Sequence, residues 1–476
     1  MDTPAGRSGR WMLPRRAAAF PRADDAAPPQ LPEEYLMPLR LVRRIALCLV
    51  IAAPAIIVRV MGLHLAPVVS LLIFGAAVVA AAFLLAWAAE AAQKDISGAL
   101  AIALLALIAV LPEYAVDLYY AFRSGSDPAY LHFAAANMTG SNRLLLGFGW
   151  PLVVIVALLA ARAAARAGGS GRGASGRGAG VPAPEASIPR SLVLPSQSRL
   201  DIGFLAILAV IAFAIPLMGS IPLWFGGLLI AIFGLYLWRA GAVDDDGEQE
   251  FVGPAALIVE LPTPARRATV VSLFVVSAAI ILACAEPFAE ALVASGQALG
   301  IDSYFLVQWL APLASEAPEF IIAVMFALRG LGAAAIGTLI ASKVNHWSLL
   351  VGSLPFAHWA GGGPTPLALD ARQVEEFVLT ATQTLLGVAI ILALRFHLFS
   401  AIGLAVLFGA QFFVTDTSGR YVLSAIQALA AVVVLVMHRR DILPTLAAPF
   451  RRHRVERSDG ASFDESDTRT EPIATH

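Results

Sequence analysis

Cysteine and lysine are nearly absent. Cysteine occurs twice, at Cys48 and Cys284, both inside apolar runs. Two such thiols offer neither a disulfide framework nor a metal-binding spacing. Lysine also occurs only twice, at Lys94 and Lys343, and every other strong base is arginine. Charge of either sign is scarce: 14% of residues are charged, where a soluble domain carries roughly a quarter. That excludes an ordinary soluble enzyme. Hydrophobic residues at 58% exclude disorder over most of the length. A formal net charge of −1 leaves no basic field for nucleic acid. There is no P-loop, dinucleotide fingerprint or nucleophile elbow. The Gly-rich stretch 168–180 lacks the Lys-Ser/Thr that would make it a phosphate loop. The chain is expected to be no enzyme and to need no cofactor.

What is present is long apolar segments, with a mean hydropathy of +0.76. Spanning helices need about 20 apolar residues. Twelve are expected, at 41–61, 66–92, 97–123, 130–166, 201–218, 221–239, 268–296, 302–329, 331–358, 374–395, 398–415 and 419–438. Segment 130–166 is read as one tilted or broken helix, with Gly147, Gly149 and Pro151 as its only interruption. Polar tails are expected at 1–38 and 441–476, a Gly/Arg-rich linker at 167–200, and a loop at 241–267 with the acidic run 244–250. Arginine and lysine collect on one side of this arrangement, which places both termini in the cytoplasm of a cell-membrane protein.

Polar residues inside apolar spans mark function, and two regions concentrate them. The first holds Pro112-Glu113 and Asp117, followed by Asn137, Gly140, Ser141 and Asn142. The second holds Ser315, Glu316 and Pro318-Glu319, followed by Gly337, Thr338, Ser342, Lys343 and Asn345. In each, a proline frees backbone carbonyls beside a carboxylate, which makes a site for a hard cation. One expected helix precedes each motif pair and two follow it, so each half has five helices. An odd number inverts the second half relative to the first, as in secondary transporters. The expected fold is therefore an all-α polytopic membrane protein of about 12 transmembrane helices. Its parts are an extra helix at 39–62, repeats at 63–240 and 268–416, and a further helix at 417–440.

These paired motifs resemble the alpha-repeats of the cation/calcium exchanger superfamily, the sodium/calcium exchangers and their relatives. The resemblance covers about residues 66–415. It implies secondary active antiport of small inorganic cations across the lipid bilayer by alternating access. It implies Glu113 and Glu319 as paired central carboxylates and Asn137 as an oxygen ligand, with Thr338 in the matching place of the second repeat. A sodium/calcium exchanger is the leading expectation, with sodium/proton or calcium/proton antiport as the alternative. A cation channel and an intramembrane enzyme fit the mid-depth repeats less well.

The departures from the family pattern shape the site. Asp117 and Glu316 are added carboxylates, and Lys343 stands where the motif ends in Asn. Lys343 is expected to pair with a carboxylate or to couple cation movement to protons, because lysine gives up its charge readily when desolvated. Ser141, Asn142, Ser315, Ser342 and Asn345 are read as supporting groups. Glu286 and Glu290 are candidates for an outer access path. His346 and His358 are read as bordering the outer end of segment 331–358, with no role assigned.

Overall fold

The computed structural model describes residues 33–95, 110–170, 190–241 and 251–451. The acidic run 244–250, most of the linker, residues 97–109 of the third expected helix and the greater part of both tails lie outside the described residues. The chain is a multi-pass membrane protein built almost wholly of helices. In order they are α1 (Glu33–Met61), α2 (Pro67–Ala92), α3 (Leu111–Ser124), α4 (Leu131–Leu144), α5 (Trp150–Ser170), α6 (Arg199–Ile211), α7 (Ala214–Met218) and α8 (Leu223–Ala240). They continue with α9 (Gly253–Val259), α10 (Thr263–Leu299), α11 (Ser303–Leu328), α12 (Gly332–Asn345), α13 (Val351–Ala360), α14 (Ala371–Ile391), α15 (Leu398–Ala410), α16 (Thr417–Met437) and α17 (Arg439–Ala447).

Among the described residues, nine helices are long and apolar enough to cross a membrane. Three further expected spans fall on α3, on the α12–α13 rod and on the short apolar α15. Large side chains such as Phe399, Phe413 and Leu217 are turned almost wholly outward, which suits a surface solvated by lipid rather than water. Two short antiparallel ladders join distant loops: Ser191–Val193 with Arg395–His397, and Ser220–Ile221 with Leu367–Ala368.

The two motif helices share an unusual shape. Both α4 and α12 have 14 residues, and each runs directly into a five-residue π turn, Leu145–Gly149 and His346–Leu350. Such turns insert an extra residue into the helical ladder and cluster at functional sites. Segment 130–166 is accordingly one continuous rod, and its π turn falls at the expected Gly147–Gly149 interruption. Close packing at α4 depends on Gly140, where an added Cβ would lie 1.8 Å from the carbonyl oxygen of Gln308 on α11.

Three expected boundaries are corrected. α1 begins at Glu33, inside the expected tail. The loop 241–267 contains α9, whose Ala255 and Ile258 join a core with Leu84 and Ala88 of α2. The expected C-terminal tail begins with α17, which docks on α6. There Arg199 donates to Asp441 Oδ1 at 3.1 Å and to the buried Thr445 Oγ1 at 2.9 Å. At seven and nine residues, α9 and α17 are too short to register as spanning segments.

Candidate cation site

Three helices converge at one buried point. Glu113 projects from the first described turn of α3, Glu316 from α11, between Pro312 and Pro318, and His346 opens the second π turn. Glu113 Oε2 lies 2.9 Å from His346 Nε2, and Glu316 Oε1 lies 3.3 Å from the same nitrogen. One ligand atom of each residue lies within 4.8 Å of the others, and all three side chains are buried. Three donor atoms this close suit a single ion.

A shell of oxygen surrounds the point. Asn137 Nδ2 donates to Asp117 Oδ1 at 2.8 Å. That leaves Asn137 Oδ1, Asp117 Oδ2, Glu113 Oε1 and Glu316 Oε2 buried without a protein hydrogen-bond partner. Buried polar atoms are normally satisfied, so a group of orphaned acceptors calls for a cation, a proton or water. Tyr114 on α3 donates to Asn345 Oδ1 at 2.9 Å, tying α3 to α12 beside the cluster.

The remaining expected residues divide. Glu319 is half-buried and accepts from Ser342 Oγ at 3.0 Å, and that hydroxyl lies 3.5 Å from His346 Nε2. Glu319 therefore stands beside the cluster, while Glu316 occupies the position facing Glu113 through the imidazole. Thr338 is exposed and donates to its own helix at Ala335 O, 2.8 Å away. It is not brought to the cluster as Asn137 is. Ser315 likewise donates within its helix, to Ala311 O and Pro312 O, and Ser141 is fully buried with its hydroxyl unpartnered. Lys343 does not form the expected pair with a carboxylate. Its ammonium donates to Asn142 O at 2.5 Å and to Asn142 Oδ1 at 2.9 Å, beside the Trp347 ring.

His346 is the residue that sequence reading misplaced. It lies midway along the continuous Gly332–Ala360 rod, not at its outer end, and a histidine at mid-span was the available signal. A second buried group was missed outright. Arg143, next to Asn142, pairs with Glu376 of α14 at 2.5 Å, and Arg420 of α16 pairs with Glu376 and, at 3.4 Å, with Glu375. Arg143 also donates to Gln411 Oε1 at 3.2 Å. On α10, Glu286 pairs with Arg59 at 2.5 Å, while Glu290 accepts from Tyr119 and from Tyr130, the latter at 2.8 Å. Both acids therefore lie in helix-to-helix ties.

Residues 66–241 and 269–438 match the family described as sodium/calcium exchanger protein. The crystal structure of H+/Ca2+ exchanger CAX is similar over 86% of this chain and 98% of its own, at 34% identity and a TM-score of 0.77. The Ca2+/H+ antiporter protein YfkE is similar over 78% of this chain and 100% of its own, at 14% identity and a TM-score of 0.52, a likeness of fold alone. No curated protein matches the chain in sequence.

Proposed function

We propose a transport reaction on one premise: the chain belongs to the sodium/calcium exchanger protein family. The reaction is antiport of a divalent cation against protons, with Ca2+ as the reference substrate. The observation that carries it is the buried meeting of Glu113, Glu316 and His346, contributed by both motif regions. Glu319, Asp117 and Asn137 complete the oxygen supply around that point. A group of buried carboxylates without a fixed counter-charge among them must hold either a cation or protons. Exchange of one for the other is the reaction. The similarity to an H+/Ca2+ exchanger at 34% identity favours protons over sodium as the coupling ion.

In this reading the chain has twelve spans, two inverted five-helix repeats, and both termini in the cytoplasm of a cell-membrane protein. The two repeats alternately open the shared site to either side. Asn137 contributes its free amide oxygen, and Ser342 holds Glu319 toward the site.

The test is reconstitution into sodium-free vesicles with a pH-sensitive dye. Imposed Ca2+ gradients should drive proton movement, and Glu113→Gln and Glu316→Gln should each abolish it while the proteins stay monodisperse in detergent. Proton flux that appears only when sodium is added, or Ca2+ flux indifferent to pH and dependent on sodium, overturns the proton reading.

A further inference from the structure

The apolar span of α1 opens with three arginines that the cation site does not use. Arg40, Arg43 and Arg44 stand at i, i+3 and i+4, so they share one face of the helix, and all three are exposed. The next turns continue that face with Leu47 and Val50, which are 60% and 69% exposed. The inward side of α1 is different: Leu41 and Cys48 are buried in a core with Leu84 and Ala88 of α2. Among the described residues none of the three arginines has a carboxylate partner, whereas Arg59, Arg199, Arg266 and Arg372 each meet one. An open groove of about 560 Å3 runs along this face, lined among the described residues by Arg40, Arg43, Arg44, Ala46, Leu47 and Val50. That is a usual size for a ligand site, roughly 300–1,000 Å3.

The order of groups along the helix selects the ligand. Guanidinium forks bind phosphate oxygens in pairs, and three of them fall within about 6 Å of helix rise. Leu47 and Val50 follow about 4.5 Å and 9 Å beyond Arg44 along the axis, inside the apolar span. A ligand that matches this order is anionic at one end and hydrocarbon at the other. Inorganic phosphate would satisfy the arginines and leave the apolar stripe bare. So would an acidic peptide, including the run 244–250, which enters α9 where Arg44 Nη1 lies 4.0 Å from the place of a Cβ on Gly253.

We infer that this face of α1 binds an anionic glycerophospholipid, with the phosphate between Arg40, Arg43 and Arg44 and an acyl chain along Leu47 and Val50. A zwitterionic lipid brings a cationic headgroup that the arginines repel. The lipid lies apart from the Glu113, Glu316 and His346 cluster, and its binding needs no antiport.

The experiment is native mass spectrometry of the full chain in detergent with phosphatidylglycerol or phosphatidylcholine. Wild type is compared with the triple variant Arg40→Gln, Arg43→Gln, Arg44→Gln, whose exposed positions leave the packing of α1 on α2 in place. Wild type should retain phosphatidylglycerol about tenfold more strongly than phosphatidylcholine, and the triple variant should lose that preference, since each base near a membrane surface adds a several-fold attraction. The double variant Arg439→Gln, Arg440→Gln, which removes two exposed bases elsewhere, should keep it. Phosphatidylglycerol with a photoreactive acyl chain should label wild type between Leu47 and Val50, and that measurement decides the matter even where the triple variant misfolds. Equal retention of both lipids by wild type, an unchanged preference in the triple variant, an equal loss in the double variant, or labelling confined to other helices overturns the proposal. So does retention of inorganic phosphate in the lipid's place. A preference that appears only after the acids of 244–250 are changed to amides also overturns it, by making that run the occupant of the arginines.

Discussion

Lys343 donates to both oxygens of Asn142, at 2.5 Å to the backbone and 2.9 Å to the side chain. Each of the two is the twelfth residue of its 14-residue motif helix. The contact thus joins the two motif regions at equivalent positions, and a buried ammonium sits next to a cation site instead of inside it. When protonated, Lys343 opposes a divalent ion without competing for the same ligands. Lys343→Gln keeps a donor for Asn142 and removes the charge. Divalent-ion affinity should rise on the order of tenfold, read by titration calorimetry, with folding preserved. Lys343→Met also removes the donor, leaving the Asn142 oxygens unsatisfied, and should lower thermal stability by about 1–3 kcal/mol. Unchanged affinity in Lys343→Gln would show that the ammonium does not act on the site.

Asn137 and Thr338 are each the seventh residue of their motif helices, yet the fold treats them differently. Asn137 is buried with a free carbonyl oxygen beside Asp117, while Thr338 is exposed and bonded to its own helix. Asn137→Ala should cost most of the transport rate, and Thr338→Ala should keep it near wild type. Vesicle uptake measured side by side checks both. Equal losses would restore Thr338 as a ligand.

The contrast shows what was legible in the sequence. Glu113, Asp117, Asn137 and Glu316 stood out because a polar group in an apolar span is expensive unless it has work there. The π turn in the first motif helix was foreshadowed by Gly147 and Gly149. Pattern matching then failed at Thr338, because equal places in two repeats need not face the same point. It failed at His346 because the apolar residues on both sides of it form one continuous helix through the π turn, so the histidine stands at mid-span and not at an end. The Arg143–Glu376–Arg420 group was invisible for another reason. It joins α4, α14 and α16, and charge pairing between helices far apart in sequence leaves no local period to read.

That group supplies the next expectation. Arg143 and Glu376 are at most 1% exposed, and Arg420 completes the set. Removing one member of a buried charge group leaves the others uncompensated, at a cost of about 3–5 kcal/mol. Glu376→Gln should therefore unfold at markedly lower temperature than wild type. The quadruple variant Arg143→Met, Glu375→Gln, Glu376→Leu, Arg420→Leu, which also neutralises the second acid paired with Arg420, should recover much of the loss. Thermal unfolding followed by tryptophan fluorescence in detergent decides it. A quadruple variant no more stable than Glu376→Gln would mean the charges contribute more than mutual neutralisation.

Outside the spans, Asp95 takes a two-point clamp from Arg266, at 2.7 and 2.8 Å, and a further bond from Arg267 at 3.3 Å. The hydrogen bonds from Arg266 above all hold its carboxyl down at about 2. A folded-state value below the unfolded one, about 3.9 for aspartate, contributes stability that is fully present above the unfolded value. It is lost as pH falls through the folded one. Between about pH 5 and 9 the stability difference between wild type and Asp95→Asn should therefore be constant, and it should shrink only below about pH 4. A difference that changes through neutral pH would assign the clamp to another titrating group.

Gly140 and Gly337 are the two motif glycines, and the structure assigns them opposite tolerance. A Cβ at Gly140 would meet the carbonyl oxygen of Gln308 at 1.8 Å, whereas a Cβ at Gly337 would meet nothing within 4 Å. Backbone cannot yield as a flexible side chain does, so Gly140→Ala must push α4 away from α11. α11 carries Glu316 and α4 carries Asn137, so that displacement opens the site itself. Gly140→Ala should lose transport by about tenfold or more, since a misplacement of about 1 Å at a positioned site is already severe. It should also lower the unfolding temperature. Gly337→Ala should transport normally and gain slightly in stability, because alanine is favoured over glycine within a helix by about 1 kcal/mol. Paired uptake and unfolding measurements on the two variants test the α4–α11 crossing directly, and a tolerant Gly140→Ala would refute it.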